Sequence, residues 1–419
     1  MQHSTTSPRF QATDDFDTFT AHGLLVAAHD FAADRRFFAS FDQFLSVSMK
    51  SKDFSWQDKL ATLWASIVVG CDHTSHINHA LGPHERASAA VFGLERWPDQ
   101  SQINRLLTRF SPENVSQWRA LHLHLLATHS RARRRRLWPR LADSVRVLFL
   151  DLDQRGLTVS SNQFQFAAKG HFGRKRSRTG YQLSLAFVGG PIGEVLDEYL
   201  DAGNTPAGHR VEPLLDAALT FCAKTGIRPD QVVVRADAQY GTVDIIEKIR
   251  ARGFHFLLKG LNSQRSRRLL DRVPSDGVFH AVDNGANRDP AWMCDLGVLE
   301  HRSTAHGPGP KPTVAARTLL LVRHIWVSDL RRASPKERAR RKAEGTDRKR
   351  VRKVDTFLTD LAPSKLPLEW VLSTYHDRST IERYFYDEQY GLGARQVRTH
   401  HHAGEAVFEF VVATTNNLL

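Results

Sequence analysis

QVVVRADAQYGTVDIIEKIRARGFHFLLKG, residues 231–260, decides the fold class. Gln231–Ala236 is a short apolar, β-branched run, as a strand covered on both faces requires. Thr242–Arg252 has helical apolar spacing, and Phe254–Lys259 is a second apolar strand. The helix between them carries Asp244 and Glu247 early and Lys248, Arg250 and Arg252 late, with Gly253 just beyond, which suits its dipole and its stop. A strand, a crossover helix and a strand make a parallel pair with the helix on one sheet face.

Outward from this unit, Val145–Leu152, Leu157–Phe166 and Gln182–Val188 read as three strands that can form a meander. His209–Thr225 reads as a helix ending at Gly226. The order β-β-β-α-β-α-β predicts an α/β fold, a mixed sheet with flanking helices. Residues 1–142 read as an all-helical domain. Within it, Gln102–Phe110 and Val115–Leu126 are helices, the second capped by Ser111 with Pro112 at its first position. That pair, followed by Arg131–Arg136, is expected to be a helix-turn-helix reader of DNA. Residues 143–261 form the first part of the core. Residues 262–354 are turn-rich and read as a β-rich basic insertion, and 355–419 return as the second part of the core, with a helix over Ser379–Tyr390. The chain stops within an apolar run, Val407–Leu419, without a cap or polar tail, so a C-terminal dimerisation piece is expected to be missing from it.

The 419 residues carry a net charge of +13, and two short segments more than account for it. Arg331–Lys353 holds twelve Lys/Arg against three acids, and Arg131–Arg136 adds five more cations. Basicity confined to patches suggests surfaces that face a polyanion. No run of 18 apolar residues occurs, so no membrane partner is expected. Three scattered cysteines and no secretory leader imply a reducing cytoplasm. A phosphate-binding G-x-x-x-x-G-K-[ST] loop is absent, so ATP-driven chemistry has no support.

Acids at the ends of core strands are the chemical signal. Asp151 closes the apolar run Val145–Leu150, Asp153 shares its face two residues on, and Asp237 closes Val232–Ala236. Carboxylates clustered at one sheet end repel unless a divalent cation joins them. A hard ion such as Mg²⁺ suits them, and two such ions can drive in-line displacement at a phosphodiester. Asp151 and Asp153 compete for the first position, with Asp151 preferred because it follows the apolar strand directly. Tyr375-His-Asp-Arg378-Ser-Thr-Ile-Glu382 supplies a third acid, a planar fork donor in Arg378, and a phenol in Tyr375. Ser379-x-x-Glu382 also has the form of a capping box. Arg174, Lys175, Arg176 and Arg178, on a turn between core strands, and Lys259, at a strand end, are candidate phosphate contacts.

In this order, the Asp on a strand, the segment Arg235-Ala-Asp237-Ala-Gln-Tyr-Gly241, and Tyr375, Arg378 and Glu382 after an insertion resemble the bacterial insertion-sequence transposases of the DDE class with a Y-R-E-K signature. The resemblance covers roughly residues 144–400. It implies a ribonuclease-H-like catalytic core, with Asp151, Asp237 and Glu382 as catalytic and metal-binding carboxylates. It further implies two Mg²⁺ ions, replaceable by Mn²⁺, and double-stranded DNA partners: terminal inverted repeats and a target. A homodimer on DNA and a nucleoid-associated location in a bacterial cytoplasm follow from the same resemblance. The signature's Lys, seven positions after the Glu, is Gln389 here. That departure supports one alternative, a non-catalytic DNA-binding derivative; a ribonuclease-H-like nuclease with the same core is a further one.

Overall fold

The computed structural model describes residues 20–50, 52–161, 163–172, 175–260, 263–273, 277–283, 290–303, 310–328, 334–345 and 348–419. Helices α1 (Gly23–Asp34), α2 (Ser40–Phe44), α3 (Trp56–Val68), α4 (Ile77–Ala80), α5 (Arg86–Val91), α6 (Gln100–Leu107) and α7 (Pro112–His129) come first. Four strands follow: β1 (Leu148–Thr158), β2 (Ala168–Phe172), β3 (Lys175–Val188) and β4 (Glu194–Ala202). Then come α8 (Val211–Thr225), β5 (Val232–Ala236), α9 (Val243–Ala251), β6 (His255–Lys259) and α10 (Ser263–Leu270). The remainder is β7 (His280–Val282), β8 (Ala291–Arg302), β9 (Thr313–Ser328), α11 (Pro335–Ala343), β10 (Arg348–Thr359), α12 (Leu368–His376), α13 (Ser379–Tyr390) and α14 (His402–Leu418).

The strands form one mixed ten-stranded sheet in the order β2-β3-β1-β5-β6-β10-β9-β8-β7, with β4 beside β3. β1 pairs antiparallel with β3 and parallel with β5, and β5 pairs parallel with β6. A meander followed by two crossover-linked parallel strands is compatible with a ribonuclease-H-like core. The local signals behave as their chemistry demands. Gly226 closes α8 at φ +70, and the Thr242 side chain caps α9. Ser111 and Asn114 form a capping box at α7.

Four expectations are corrected. First, no strand break follows Leu152: β1 runs on to Thr158, and the expected strand Leu157–Phe166 contributes only its first two residues to it. Second, β4 joins the meander although four of its nine residues are acidic. Third, β7–β9 extend the core sheet instead of building a separate one, and β10 crosses the expected boundary at residue 354 without interruption. Fourth, the apolar run at the C-terminus is covered by the chain itself. Fourteen residues of α14 are buried, and it packs on α7, β4, α3 and α6. Val407, Phe408, Val411 and Val412 thereby enter the core of the N-terminal helices, alongside Trp64, Trp118 and Phe37.

The two sheet faces are covered differently. α8 and α9 lie over Leu150, Leu152, Val232, Val234 and Ala236. The opposite face, with Phe149, Val233, Leu185 and Phe187, is covered by residues of α12, α13 and α14. No helix of the described residues is long and apolar enough to cross a membrane.

Candidate active site

Side chains alternate along a strand, so Phe149, Asp151, Asp153, Arg155 and Leu157 of β1 share the face under α12–α14. β1 and β5 run in register from Leu148↔Val232 to Leu152↔Ala236. One further step puts Asp153 level with Asp237. The β5–β6 register, ending at Ala236↔Leu258, puts Lys259 at the same level on the next strand. Three neighbouring strands therefore deliver two acids and a lysine side by side. The turn Ala238–Gly241 brings the chain down hard on β6: a Cβ on Gly241 would stand 1.9 Å from the Lys259 carbonyl oxygen.

The two aspartates of β1 have different surroundings. Asp151 is fully buried in the strand interior, beside an equally buried Arg235. Arg235 Nε donates to Oδ1 at 2.7 Å, Nη2 donates to Oδ2 at 2.8 Å, and Nη1 donates to the Thr374 carbonyl. The guanidinium also lies over the Phe149 ring, 4.0 Å from its centroid. Gly189 closes the pair from above, where a Cβ would fall 2.1 Å from Asp151 Oδ2. Burial pushes the Asp151 carboxyl up, and Arg235 opposes that shift.

Asp153 keeps some access to solvent, with 17 % of its side chain exposed. Its Oδ2 accepts from Arg378 Nη1 at 2.8 Å, and its Oδ1 accepts from the Gln154 amide. Burial raises its carboxyl; Arg378 pulls it down and Asp237 adds to the rise. Arg378 Nη2 stands 3.8 Å from Glu382 Oε1, so one guanidinium spans Asp153 and Glu382. Although burial opposes its charge, Arg378 is held cationic chiefly by Asp153 and by Tyr375. Tyr375 packs against Phe357, and burial lifts its phenol to about 12. Asp237 Oδ1 accepts from the Gln239 amide across the turn.

The helix carrying Glu382 spans Ser379–Tyr390, as its periodicity indicated. The expected capping box does not form. Only Asp377 and Arg378 separate α13 from α12, so Ser379 is already helical and makes no side-chain cap. The Glu382 side chain instead stays 67 % exposed near Arg378. Behind it, Glu388 of the same helix is buried against Arg155 Nη2 at 2.8 Å, with Glu409 of α14 on the same nitrogen at 3.3 Å. These contacts hold α13 to β1.

Tyr240 was not singled out by the sequence. It is buried, its hydroxyl has no hydrogen-bond partner among the described residues, and its pKa is raised well above normal by burial, with Asp153 and Asp237 adding to the rise. An aromatic in a polar turn directly after a strand-ending Asp was the available signal.

The remaining candidates divide. Lys259 donates to Asp355 at 3.1 Å, and the same buried carboxylate receives Arg323 at 3.1 Å, leaving surplus positive charge on this part of the sheet. Arg178 is exposed. Arg174 lies outside the described residues, as do the side chains of Lys175 and Arg176. Within the insertion, α10 and β8 enclose a groove of about 780 Å³ lined by Arg265, Arg268, Arg272, Arg302 and Lys311. α7, the second helix of the expected helix-turn-helix pair, buries Trp118, Leu121, His122, Leu125 and Leu126 among α14, β4 and α8, and leaves Glu113, Ser116, Ala120, His124 and Thr128 exposed.

No group of three His, Cys, Asp or Glu among the described residues stands close enough to hold a metal ion as it is. The donor chemistry nevertheless fits a hard divalent cation. Asp153 and Asp237 are level on adjacent strands, and Glu382 is bound only through a 3.8 Å contact with Arg378.

A family model described as transposase DDE domain, group 1, matches residues 17–419. No curated protein matches the chain.

Proposed function

From the premise that the chain belongs to the transposase DDE domain family, we propose that it cuts and joins DNA strands at the ends of a bacterial insertion sequence, using Asp153, Asp237 and Glu382. The observation that carries this reading is the pair of neighbouring aspartates linked through Arg378 to a largely exposed glutamate. Asp153 takes the first position in preference to Asp151, because Asp151 has both oxygens committed to Arg235 in a sealed site. The core around these residues is read as ribonuclease-H-like.

Bound across the three carboxylates, two Mg²⁺ ions, or Mn²⁺ in their place, would supply charge neutralisation at the phosphate and an acidified water or 3′-hydroxyl. The chain's own residues do the rest. Arg378 fixes the direction of the Asp153 carboxylate and offers the remaining edge of its fork to a phosphate oxygen. Tyr375, packed against Phe357, keeps Arg378 from folding inward. The cations around Asp355 and the groove of the insertion bias the surface toward a DNA backbone. Joining two ends requires that they be held together, so a homodimer on paired inverted repeats is part of the proposal.

The test is a duplex carrying the DNA that flanks the coding sequence, incubated with protein and Mg²⁺ or Mn²⁺. Nicking at the end and transfer to a target duplex are expected, with Asp153→Asn, Asp237→Asn and Glu382→Gln each abolishing both while retaining DNA binding. Binding without cleavage by the unaltered protein would make it a non-catalytic derivative. Cleavage without joining would make it a nuclease.

A further inference from the structure

We propose that the groove between the Ser46–Asp53 segment and α6 grips the phosphate backbone of duplex DNA, with Lys59 at its floor; this rests on the reading that the chain binds DNA at element ends. The groove has a volume of about 800 Å³ and is lined by Lys50, Lys52, Lys59, Arg105 and Arg109 against one acid, Asp53. Lys59 is the unusual member. It is 2 % exposed, and its Nζ reaches only the Met49 sulfur, at 3.9 Å. Asp58 and Asp53 stand close enough to favour its charge, but neither pairs with Nζ. Asp58 accepts the Ser55 amide in the capping box of α3, and Asp53 faces Arg96 at 3.9 Å. Among the described residues, none of the five lining cations makes an ion pair.

A buried ammonium that makes no direct ion pair is costly, and an anion brought to it offsets that cost. An anion entering this groove would meet Lys59 below and, along one wall, the exposed Arg105 of α6 and the exposed Arg109 in the turn just past its end. Cations arrayed along a groove of this size match a run of phosphates and carry no base-reading geometry, so the contact positions DNA without selecting its sequence.

The test is binding of a fluorescent 30-base-pair duplex in EDTA, followed by anisotropy across a salt series, so that no catalytic step enters. Each lost phosphate contact reduces the slope of log K against log salt by about 0.9 and weakens binding by roughly eightfold at 0.1 M salt. Lys59→Met replaces the ammonium with an apolar side chain of similar length and is expected to fold with an unchanged or higher Tm. It should flatten the slope by about one unit, and Arg105→Gln/Arg109→Gln, on the exposed wall, by about two. Losses should be equal for end DNA and unrelated DNA. Wild-type affinity and slope in both variants would overturn the proposal while leaving the transposase reading intact. Failure of the unaltered protein to bind any duplex would instead remove the reading it rests on.

Discussion

Replacing Asp151 with asparagine separates the two aspartates of β1. The substitution leaves the Arg235 guanidinium fully buried, stripped of its anionic partner and with only the Thr374 carbonyl as an undisturbed acceptor. Breaking one side of a buried pair costs about 3–5 kcal/mol, because the surviving charge has no solvent to return to. At roughly 2 °C per kcal/mol, the lower figure for larger domains, Tm should fall by about 6–10 °C. Asp153→Asn removes the nearer ion-pair partner of Arg378, whose side chain is 11 % exposed and keeps only Glu382 at 3.8 Å among the described residues, and should cost about 1.5–3 kcal/mol, less than Asp151→Asn. The activities should run the other way. Asp153→Asn should be inactive with the smaller loss of Tm, and Asp151→Asn, assayed well below its lowered Tm, should retain cleavage. Mn²⁺ binding followed by electron paramagnetic resonance gives a second readout without DNA: weakened by Asp153→Asn, unchanged by Asp151→Asn. The reasoning is refuted if Asp151→Asn melts with the unaltered protein but has lost its metal.

Three further outcomes follow from the geometry. Buried His122 joins Thr414 of α14 to the Val195 carbonyl of β4, and burial lowers its pKa from 6.5 to about 4. The unfolded chain therefore takes up this proton first, so the stability contribution is complete above pH 6.5 and is lost as pH falls toward 4, by about 3 kcal/mol in all. The pH dependence of urea unfolding should flatten by that amount in His122→Gln. Around Arg155, three buried carboxyls, Glu198, Glu388 and Glu409, share one cation, and burial raises Glu198 well above its usual range. A raised carboxyl is destabilising once the pH passes its unfolded value, so Glu198→Gln should become more stable relative to the unaltered protein as pH rises from 4 to 8; a constant difference in Tm over that range would contradict this. Finally, residues 20–142 expressed alone should give no cooperative melting transition, since α14 fills their core, and adding a peptide of residues 400–419 should restore one.

The parts of the fold that were legible are those whose signals are local. The bounds of α13, the cap of α9 and the αL glycine after α8 each depend on a few adjacent residues. The parts that were not legible depend on distant partners. Gln154-Arg155-Gly156 reads as a turn because a strand interior has no use for an arginine, until Glu388 and Glu409 arrive from more than two hundred residues away. With β1 cut short at Leu152, Asp151 took the terminal place that belongs to neither aspartate, and the competition with Asp153 could not be resolved. The acids of β4 hid a strand for the same reason: Glu194 and Asp197 are matched by Arg131 and Arg119 of the helical region. Asp237, Arg378 and Glu382 stand out in the sequence as candidates because a charged residue at a strand end or a helix start is conspicuous without knowledge of its neighbours. The insertion looked autonomous because its turns are local, whereas its long pairing with β10 is not.

The seat of α14 among the first helices has a consequence for how the protein is made. A ribosome delivers the amino-terminal helices hundreds of residues before the segment that fills the space between them, so for most of synthesis they carry an open apolar slot that only residues 402–418 can close. Here α14, made hundreds of residues after α7, finishes the core of α1–α7, and a chain broken off before it would lack both this seal and the Glu409 contact that ties α14 to β1.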